Sequence, residues 1–198
     1  MNVPTGLARR TLACHPRTPS RTIRAIGVTA EGRTGGGVAL RFALEGDLTV
    51  VRIPGRRPSR RVDGLWRHTC FEAFVMTGQG PGYREFNFSP SGEWAVMAFH
   101  GYRDGGEPVA VRGPEIAVRR DGERLELAAE ISPACLPPGS SLRLGLSAVV
   151  EDVHGELTYW ALRHPPGQPD FHHKDAFVVL LDLPVMPGID APAGGGMK

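Results

Sequence analysis

Side chains that could bind or transform a ligand gather in two stretches of this 198-residue sequence, residues 66–103 and 159–173. All three tryptophans, all three tyrosines and five of the seven histidines lie within them, interleaved with glutamate, asparagine and arginine. A hydrophobic core needs the aromatic residues but not the polar ones, whereas a site for a sugar or a flat cofactor needs both. The sequence therefore predicts a ligand-binding site, with these candidates: Trp66, Arg67, Glu72, Glu85, Asn87, Trp94, Tyr102, Arg103, Trp160, His164 and His172.

The aromatic candidates fit the recognition of a carbohydrate ring. Trp66, Trp94 and Trp160, supplemented by Tyr102, could form a platform on which the CH-rich face of a sugar stacks. The alternative for each tryptophan is a place in the hydrophobic core, and the sequence leaves both open.

The acidic and amide candidates fit hydrogen bonding or cation binding. Glu72, Glu85 and Asn87 could bond to ligand hydroxyls, or they could coordinate calcium, which takes roughly six to eight oxygen ligands. The alternative is a structural ion pair with Arg67 or Arg103. Glu72 lies on an otherwise apolar strand, so we expect its carboxylate to be paired or hydrogen-bonded inside the protein.

The histidines are weak candidates for a transition-metal site. His172 and His173 are adjacent, and adjacent residues of a strand point to opposite faces. A shared metal ion would need His164 together with one of these two histidines, and they could meet only if the proline-rich loop 165–169 folds back. No metal site is predicted.

Catalysis has one candidate arrangement, in which Glu72 and Glu85 form a glycosidase pair. Such carboxyl groups stand about 5 Å apart or roughly 6.5–9.5 Å apart. The sequence contains no GxSxG elbow, HExxH helix, phosphate-binding glycine-rich loop or dinucleotide fingerprint. We therefore expect a binding protein and not an enzyme.

Alternation with a period of two residues runs through most of the chain and predicts an all-β domain. The 26 glycines and 18 prolines agree with many short strands joined by turns. The pattern predicts about ten strands of a sandwich or barrel, over these residues: 22–31, 38–45, 50–53, 70–76, 83–88, 94–99, 116–119, 124–131, 142–150, 157–162 and 176–183.

Composition sets the domain limits and excludes several partners. We expect a poorly ordered arm over residues 1–20, one domain over 21–183 and a disordered tail over 184–198. A formal charge of +2 does not favour nucleic acid. The three cysteines form no CxxC pair, and no apolar segment fits a secretory signal or a membrane span. These features indicate a cytoplasmic protein.

The runs WRHTCFEAFV, YREFNFSPSGEWAVMAFHGYR and YWALRHPPGQPDFHH resemble the DOMON-like domains related to family 9 carbohydrate-binding modules. The resemblance covers roughly residues 20–183. It implies a two-sheet antiparallel β-sandwich of about ten strands that binds carbohydrate or haem, with structural calcium in the carbohydrate-binding branch. Glu72 corresponds to the acidic residue that these domains carry on a strand.

The favoured function is therefore non-catalytic binding of a small carbohydrate or a sugar-derived ligand. The first alternative is a module that binds haem b, with Met76 or Met97 and His164 as the axial ligands. The second is a ligand-free domain that binds a protein partner. Because so many polar groups are hard to satisfy separately, we also expect the two stretches to meet in space.

Overall fold

The alternating pattern produces two antiparallel sheets in the computed structural model, which describes residues 7–78 and 80–184. Three single-turn 3₁₀ helices, Leu65–Arg67, Pro133–Cys135 and Lys174–Ala176, interrupt the strands. The strands are β1 (Leu7–Thr11), β2 (Ala13–Cys14), β3 (Ile23–Gly32), β4 (Val38–Gly46), β5 (Cys70–Thr77), β6 (Tyr83–Phe88), β7 (Trp94–Gly101), β8 (Asp104–Pro108), β9 (Glu115–Asp121), β10 (Arg124–Ile131), β11 (Ser141–Glu151), β12 (Leu157–Ala161) and β13 (Val179–Asp182).

The smaller sheet has five strands in the order β1-β3-β4-β10-β9. The larger sheet has eight, in the order β2-β12-β11-β5-β6-β7-β8, and β13 also pairs with β11. Strands β12 and β13 pair with different halves of β11. Strand β13 pairs with residues 141–144, and β12 pairs with residues 147–151. The fold is a two-sheet β-sandwich, as predicted.

The hydrophobic core lies between the two sheets. Leu142, Leu144 and Leu146 on β11 face it, and so do the alternate residues of β10 and β4. The rings of Phe42 and Phe71 meet across it, with centroids 5.1 Å apart. Burial of apolar area at about 25 cal/mol per Å² is the main stabilising contribution of such a core. The central position of β11 agrees with its continuous apolar face.

A second apolar cluster covers part of the outer face of the larger sheet. Phe74, Tyr83 and Phe177 belong to it, together with Phe171 from the loop between β12 and β13. Gly145 allows this close packing, because a Cβ there would lie 2.6 Å from the ring of Phe177. The segment after β12 therefore folds back over the sheet.

The described residues correct the predicted arm. Leu7–Thr11 pairs with β3 and Ala13–Cys14 pairs with β12, and Leu12 between them is buried in the core. A short edge strand with several exposed side chains shows little alternation, so the sequence pattern missed it. Residues 1–6 of the predicted arm and 185–198 of the predicted tail lie outside the described residues.

Two further differences concern single strands. Residues 50–53 form only an isolated bridge, from Val51 to Asp152, where a strand was predicted. Asp104–Pro108 forms β8, in a part of the chain where the sequence predicts no strand. Within the described residues, no helix is long and apolar enough to cross a membrane.

Candidate functional site

A cavity of about 530 Å³ lies on the outer face of the larger sheet. Strands β5, β6 and β7 form most of its floor, with Val149 and Tyr159 from β11 and β12. The 3₁₀ turn Leu65–Arg67 forms one side, and residues 169–172 form another. The volume falls within the range of small-molecule sites, roughly 300–1,000 Å³.

Period-two geometry places three polar side chains on this floor. On β6, Phe86 faces the core while Glu85 and Asn87 face the cavity. On β5, Glu72 lies directly opposite Asn87 of β6 and Ser147 of β11. The sequence-predicted trio of Glu72, Glu85 and Asn87 is therefore brought together, with Ser147 beside it.

Hydrogen bonding satisfies this floor only in part. Asn87 donates from Nδ2 to Oε1 of Glu85 over 2.7 Å. Glu72 is only 3% exposed, and its Oε1 has no hydrogen-bond partner. The buried hydroxyl of Ser147, opposite Glu72, makes no hydrogen bond of ordinary geometry either, but it lies close enough to lower the pKa of that carboxyl. The floor thus contains a buried carboxyl oxygen whose hydrogen bonding is incomplete.

Burial acts on both carboxyl groups, most strongly on Glu72. Desolvation raises the pKa of Glu72 well above its usual value, and the charge of Glu85 raises it further, against the lowering effect of the neighbouring Ser147 hydroxyl. Desolvation also raises the pKa of Glu85, against the lowering effects of its hydrogen bond from Asn87 and of the charge of Arg103. Glu72 therefore tends to hold its proton, and its carboxyl can then donate as well as accept a hydrogen bond.

The expected ion pair between Glu72 and Arg67 or Arg103 is not formed among the described residues. Arg103 instead donates to Asp170 over 2.9 Å, and Asp170 also accepts from the hydroxyl of Tyr102. The guanidinium of Arg67 lies over the ring of Trp66, 5.2 Å from its centre. Both arginines reach partners near the rim, so the carboxyl of Glu72 is left without a cation.

Arg103 occupies an unusual backbone position in the turn between β7 and β8. Its φ of 55° lies in the left-handed region, which non-glycine residues rarely adopt. Its backbone N–H donates to the hydroxyl of Tyr83 at 3.2 Å, and its side chain binds Asp170. These contacts hold the turn against one wall of the cavity.

His172 completes that wall as a neutral ring. Its Nδ1 lies 2.7 Å from the Tyr83 hydroxyl, and its Nε2 lies 3.8 Å from Oε2 of Glu85. Burial lowers the pKa of His172 to about 4, and the charge of Arg103 adds to the effect, opposed by Asp170. The ring is thus uncharged at neutral pH.

The three tryptophans do not form one platform. Trp94 and Trp160 are only 8% and 5% exposed and belong to the core between the sheets. Trp66 is 50% exposed and lies on the cavity wall. The stacking-platform hypothesis is therefore wrong for Trp94 and Trp160, which face inward on their strands. Tyr102 is 59% exposed and touches the site through Asp170.

His164 does not join the polar floor. Its Nε2 bonds to the carbonyl of Ala13, and its ring meets His15 edge-on. The bond to the carbonyl requires a proton on Nε2, so this nitrogen is not free to bind iron, as the haem alternative needs. Of the two methionines in that alternative, Met97 lines the cavity, and Met76 packs against the outer apolar cluster.

The remaining metal candidates also have other contacts. The Nδ1 of His172 is bound to Tyr83, and the Nδ1 of His173 accepts from the backbone of Asp175. Over residues 7–78 and 80–184, no group of three or more histidine, cysteine, aspartate or glutamate side chains is arranged to hold a metal ion.

The prediction that residues 66–103 and residues 159–173 meet in space is confirmed by contacts of residues 170–172. Asp170 binds Arg103, and His172 binds Tyr83. Neither Ser147 nor Asp170 is among the site residues that the sequence predicts. A signal was present for Ser147, the one polar side chain in the apolar run GLSAVV of β11.

Comparison with known proteins bears on the fold. No family profile matches this chain, and no curated protein matches its sequence. Its structure is similar to that of a candidate carbohydrate-binding protein from Bacteroides uniformis ATCC 8492, with a TM-score of 0.65 and 14% identity over 90% of this chain and 87% of that one. A family 9 carbohydrate-binding module from Caldicellulosiruptor kristjanssonii, solved in complex with glucose, gives a TM-score of 0.49 and 7% identity over 84% and 81%. The first likeness establishes a shared β-sandwich fold.

Proposed function

We propose that this protein binds a small carbohydrate or a sugar-derived ligand, without catalysis, in the cavity on its larger sheet. The observation that carries the proposal is the buried polar floor, where Oε1 of Glu72 has no hydrogen-bond partner. A buried polar group without a partner costs about 1–3 kcal/mol. A ligand that supplies a hydroxyl group to Glu72 removes this cost.

The protonation state of the floor matches the chemistry of a sugar. A protonated carboxyl both donates and accepts hydrogen bonds, and so does a hydroxyl group. Glu72, Glu85 and Asn87 therefore offer a mixed set of donors and acceptors to a ring that carries several hydroxyls. A purely apolar ligand would leave this set unsatisfied.

The walls supply the apolar part of such a site. Met97, Phe99 and Phe171 line the cavity around the polar floor. Trp66 at the rim presents a large aromatic surface, half of it accessible. Aromatic and CH-rich surfaces beside a few fixed polar groups are typical of sites for sugars.

That the protein acts without catalysis is part of the proposal and rests on the sequence. It contains no GxSxG elbow, HExxH helix, phosphate-binding glycine-rich loop or dinucleotide fingerprint.

The fold and the sequence motifs support the same reading. The chain shares its sandwich with the candidate carbohydrate-binding protein of Bacteroides uniformis. The motif around Glu72 resembles that of the DOMON-like domains, and we extend the proposal to membership of that group. A fold hosts many functions, so the cavity carries the argument.

Calorimetric titration with a panel of mono- and disaccharides tests the proposal. We expect saturable binding that changes the fluorescence of Trp66 and is lost in Trp66→Ala. Leu180→Ala is the matched control, because Leu180 is the most exposed large apolar residue of the described chain and lies on β13. Failure of every sugar to bind contradicts the proposal, as does a Soret band in the purified protein.

A further inference from the structure

The floor of the cavity holds two carboxyl groups, and neither forms an ion pair with an arginine among the described residues, although the charge of Arg103 lowers the pKa of Glu85. Glu72 has no ion pair within residues 7–78 and 80–184. Glu85 faces His172, whose ring is neutral because burial and Arg103 lower its pKa to about 4. Buried carboxyl groups are normally matched by a cation or by several hydrogen bonds.

Two arginines, Arg67 and Arg103, line the same cavity but bind other groups. Arg103 is held by Asp170, and the guanidinium of Arg67 lies over the ring of Trp66. The carboxyl of Glu72 is therefore left without an ion pair among the described residues.

One carboxyl oxygen at this cavity has no hydrogen-bond partner. Oε1 of Glu72 is buried and makes no hydrogen bond, and Glu72 lines the cavity together with Glu85. An ammonium group donates three hydrogen bonds, so it can serve oxygens of both carboxyl groups together.

We propose that the ligand carries a primary ammonium group that lies between Glu72 and Glu85, which makes it an amino sugar. This inference rests on the proposed function and names the class of carbohydrate. Sugar hydroxyls would bond to Asn87, while the ammonium group would form the ion pair that Glu72 lacks. Charge-assisted hydrogen bonds are roughly twice as strong as neutral ones.

Binding of a cation has a signature that a neutral sugar does not share. A positive charge beside Glu72 and Glu85 lowers their pKa values and drives a proton from a carboxyl group into the buffer. A neutral sugar leaves that proton in place. Titration in two buffers with different ionisation enthalpies measures the number of protons released.

The experiment compares glucosamine with glucose and N-acetylglucosamine at pH 6.5, where an alkylammonium group is charged. We expect glucosamine to bind about tenfold more tightly than glucose or better, with proton release. Glu72→Gln and Glu85→Gln should bring the two affinities within about threefold of each other. Glu115→Gln, at an exposed carboxylate of β9 in the other sheet, should retain the preference.

Several results would overturn the inference, and they separate it from the proposed function. Equal binding of glucose and glucosamine, or no proton release, refutes the ammonium group and leaves sugar binding intact. No binding by any of the three sugars refutes the proposed function, and a failure of putrescine to bind as well refutes the cation site. A rise in thermal midpoint with millimolar calcium that Glu72→Gln abolishes would show that the carboxyl pair holds a metal ion instead. If a glutamine variant does not fold, proton release by the wild-type protein decides.

Discussion

The hydroxyl of Tyr83 on β6 lies 2.7 Å from Nδ1 of His172, in the loop between β12 and β13. The same hydroxyl accepts a hydrogen bond from the backbone N–H of Arg103. If the hydroxyl donates its own proton to Nδ1, the imidazole proton lies on Nε2, which is 3.8 Å from Oε2 of Glu85. This contact links the loop over the sheet to the protonation state of one histidine.

The first prediction concerns the pH dependence of stability. The pKa of His172 is about 4 in the folded protein and about 6.5 in the unfolded chain. Between these pH values the unfolded state binds more protons, so the free energy of unfolding falls as the pH falls. At about 1.4 kcal/mol per pH unit the loss from this group approaches about 3 kcal/mol.

Urea denaturation of the wild type and His172→Gln between pH 7.5 and pH 4 measures this effect. The comparison is needed because Glu72 and Glu85, with raised pKa values, give the opposite trend over part of the range. We expect the difference between the two proteins to change steadily below pH 6.5. A difference independent of pH would mean that His172 titrates normally in the folded state.

The second prediction concerns the buried carboxyl of Glu72. Its pKa is raised on folding by desolvation and by the charge of Glu85. Its contribution to stability is therefore complete below the pKa of the unfolded chain and is lost as the pH rises through the folded value. Glu72→Gln removes this loss, so it should gain stability relative to the wild type as the pH rises.

Chemical denaturation at pH 4.5 and pH 8 measures the gain, and Glu115→Gln provides the control. The variant at Glu115 should show no such trend, because that carboxylate is exposed on β9. An equal effect of Glu72→Gln at both pH values would show that Glu72 ionises in the folded protein as it does in the unfolded chain.

The third prediction separates two tryptophans. The indole of Trp94 packs directly against Gly113, because a Cβ added to Gly113 would lie 1.9 Å from Cε2 of Trp94. Trp94→Ala should therefore cost about 3–5 kcal/mol of unfolding free energy. Trp66→Ala should change it by less than about 0.5 kcal/mol, since Trp66 is half exposed. Similar losses for both would place Trp66 in a packed environment.

The fourth prediction concerns the N-terminal segment. Leu12 is buried between β1 and β2, and its backbone N–H donates to the carbonyl of Ile26. Leu12→Ala should lower the free energy of unfolding by about 2–5 kcal/mol. Thr11→Ala, at an exposed neighbour, should have little effect. A negligible loss of stability in Leu12→Ala would support the poorly ordered arm that the sequence predicts for residues 1–20.

Alternation made most of the fold predictable, because each side chain of a strand faces either the core or the opposite side. The pattern placed Glu85 and Asn87 opposite Phe86, and it identified β11 as central. It could not show that Trp94 turns inward, since the space for its ring depends on Gly113, far along the chain. It also missed β1, a short edge strand with few buried side chains.

The partners of the polar candidates could not be read from the sequence either. The spacing of these residues along the sequence allowed Arg103 to pair with Glu72 as well as with Asp170. In the structure, Arg103 lies in a turn with a φ of 55°, and its side chain binds Asp170. Such a choice depends on a local conformation that residue type alone does not specify.

Strand β6 places site residues and core residues in strict succession, with Glu85 and Asn87 on one side and Phe86 and Phe88 on the other. Substitutions of Glu85 and Asn87 can therefore change ligand specificity, while Phe86 and Phe88 preserve the fold. Insertion of one residue within β6 has a different consequence. It would rotate the carboxyl and amide groups into the sandwich and turn the phenylalanines towards solvent. Length changes in this strand should therefore be strongly disfavoured.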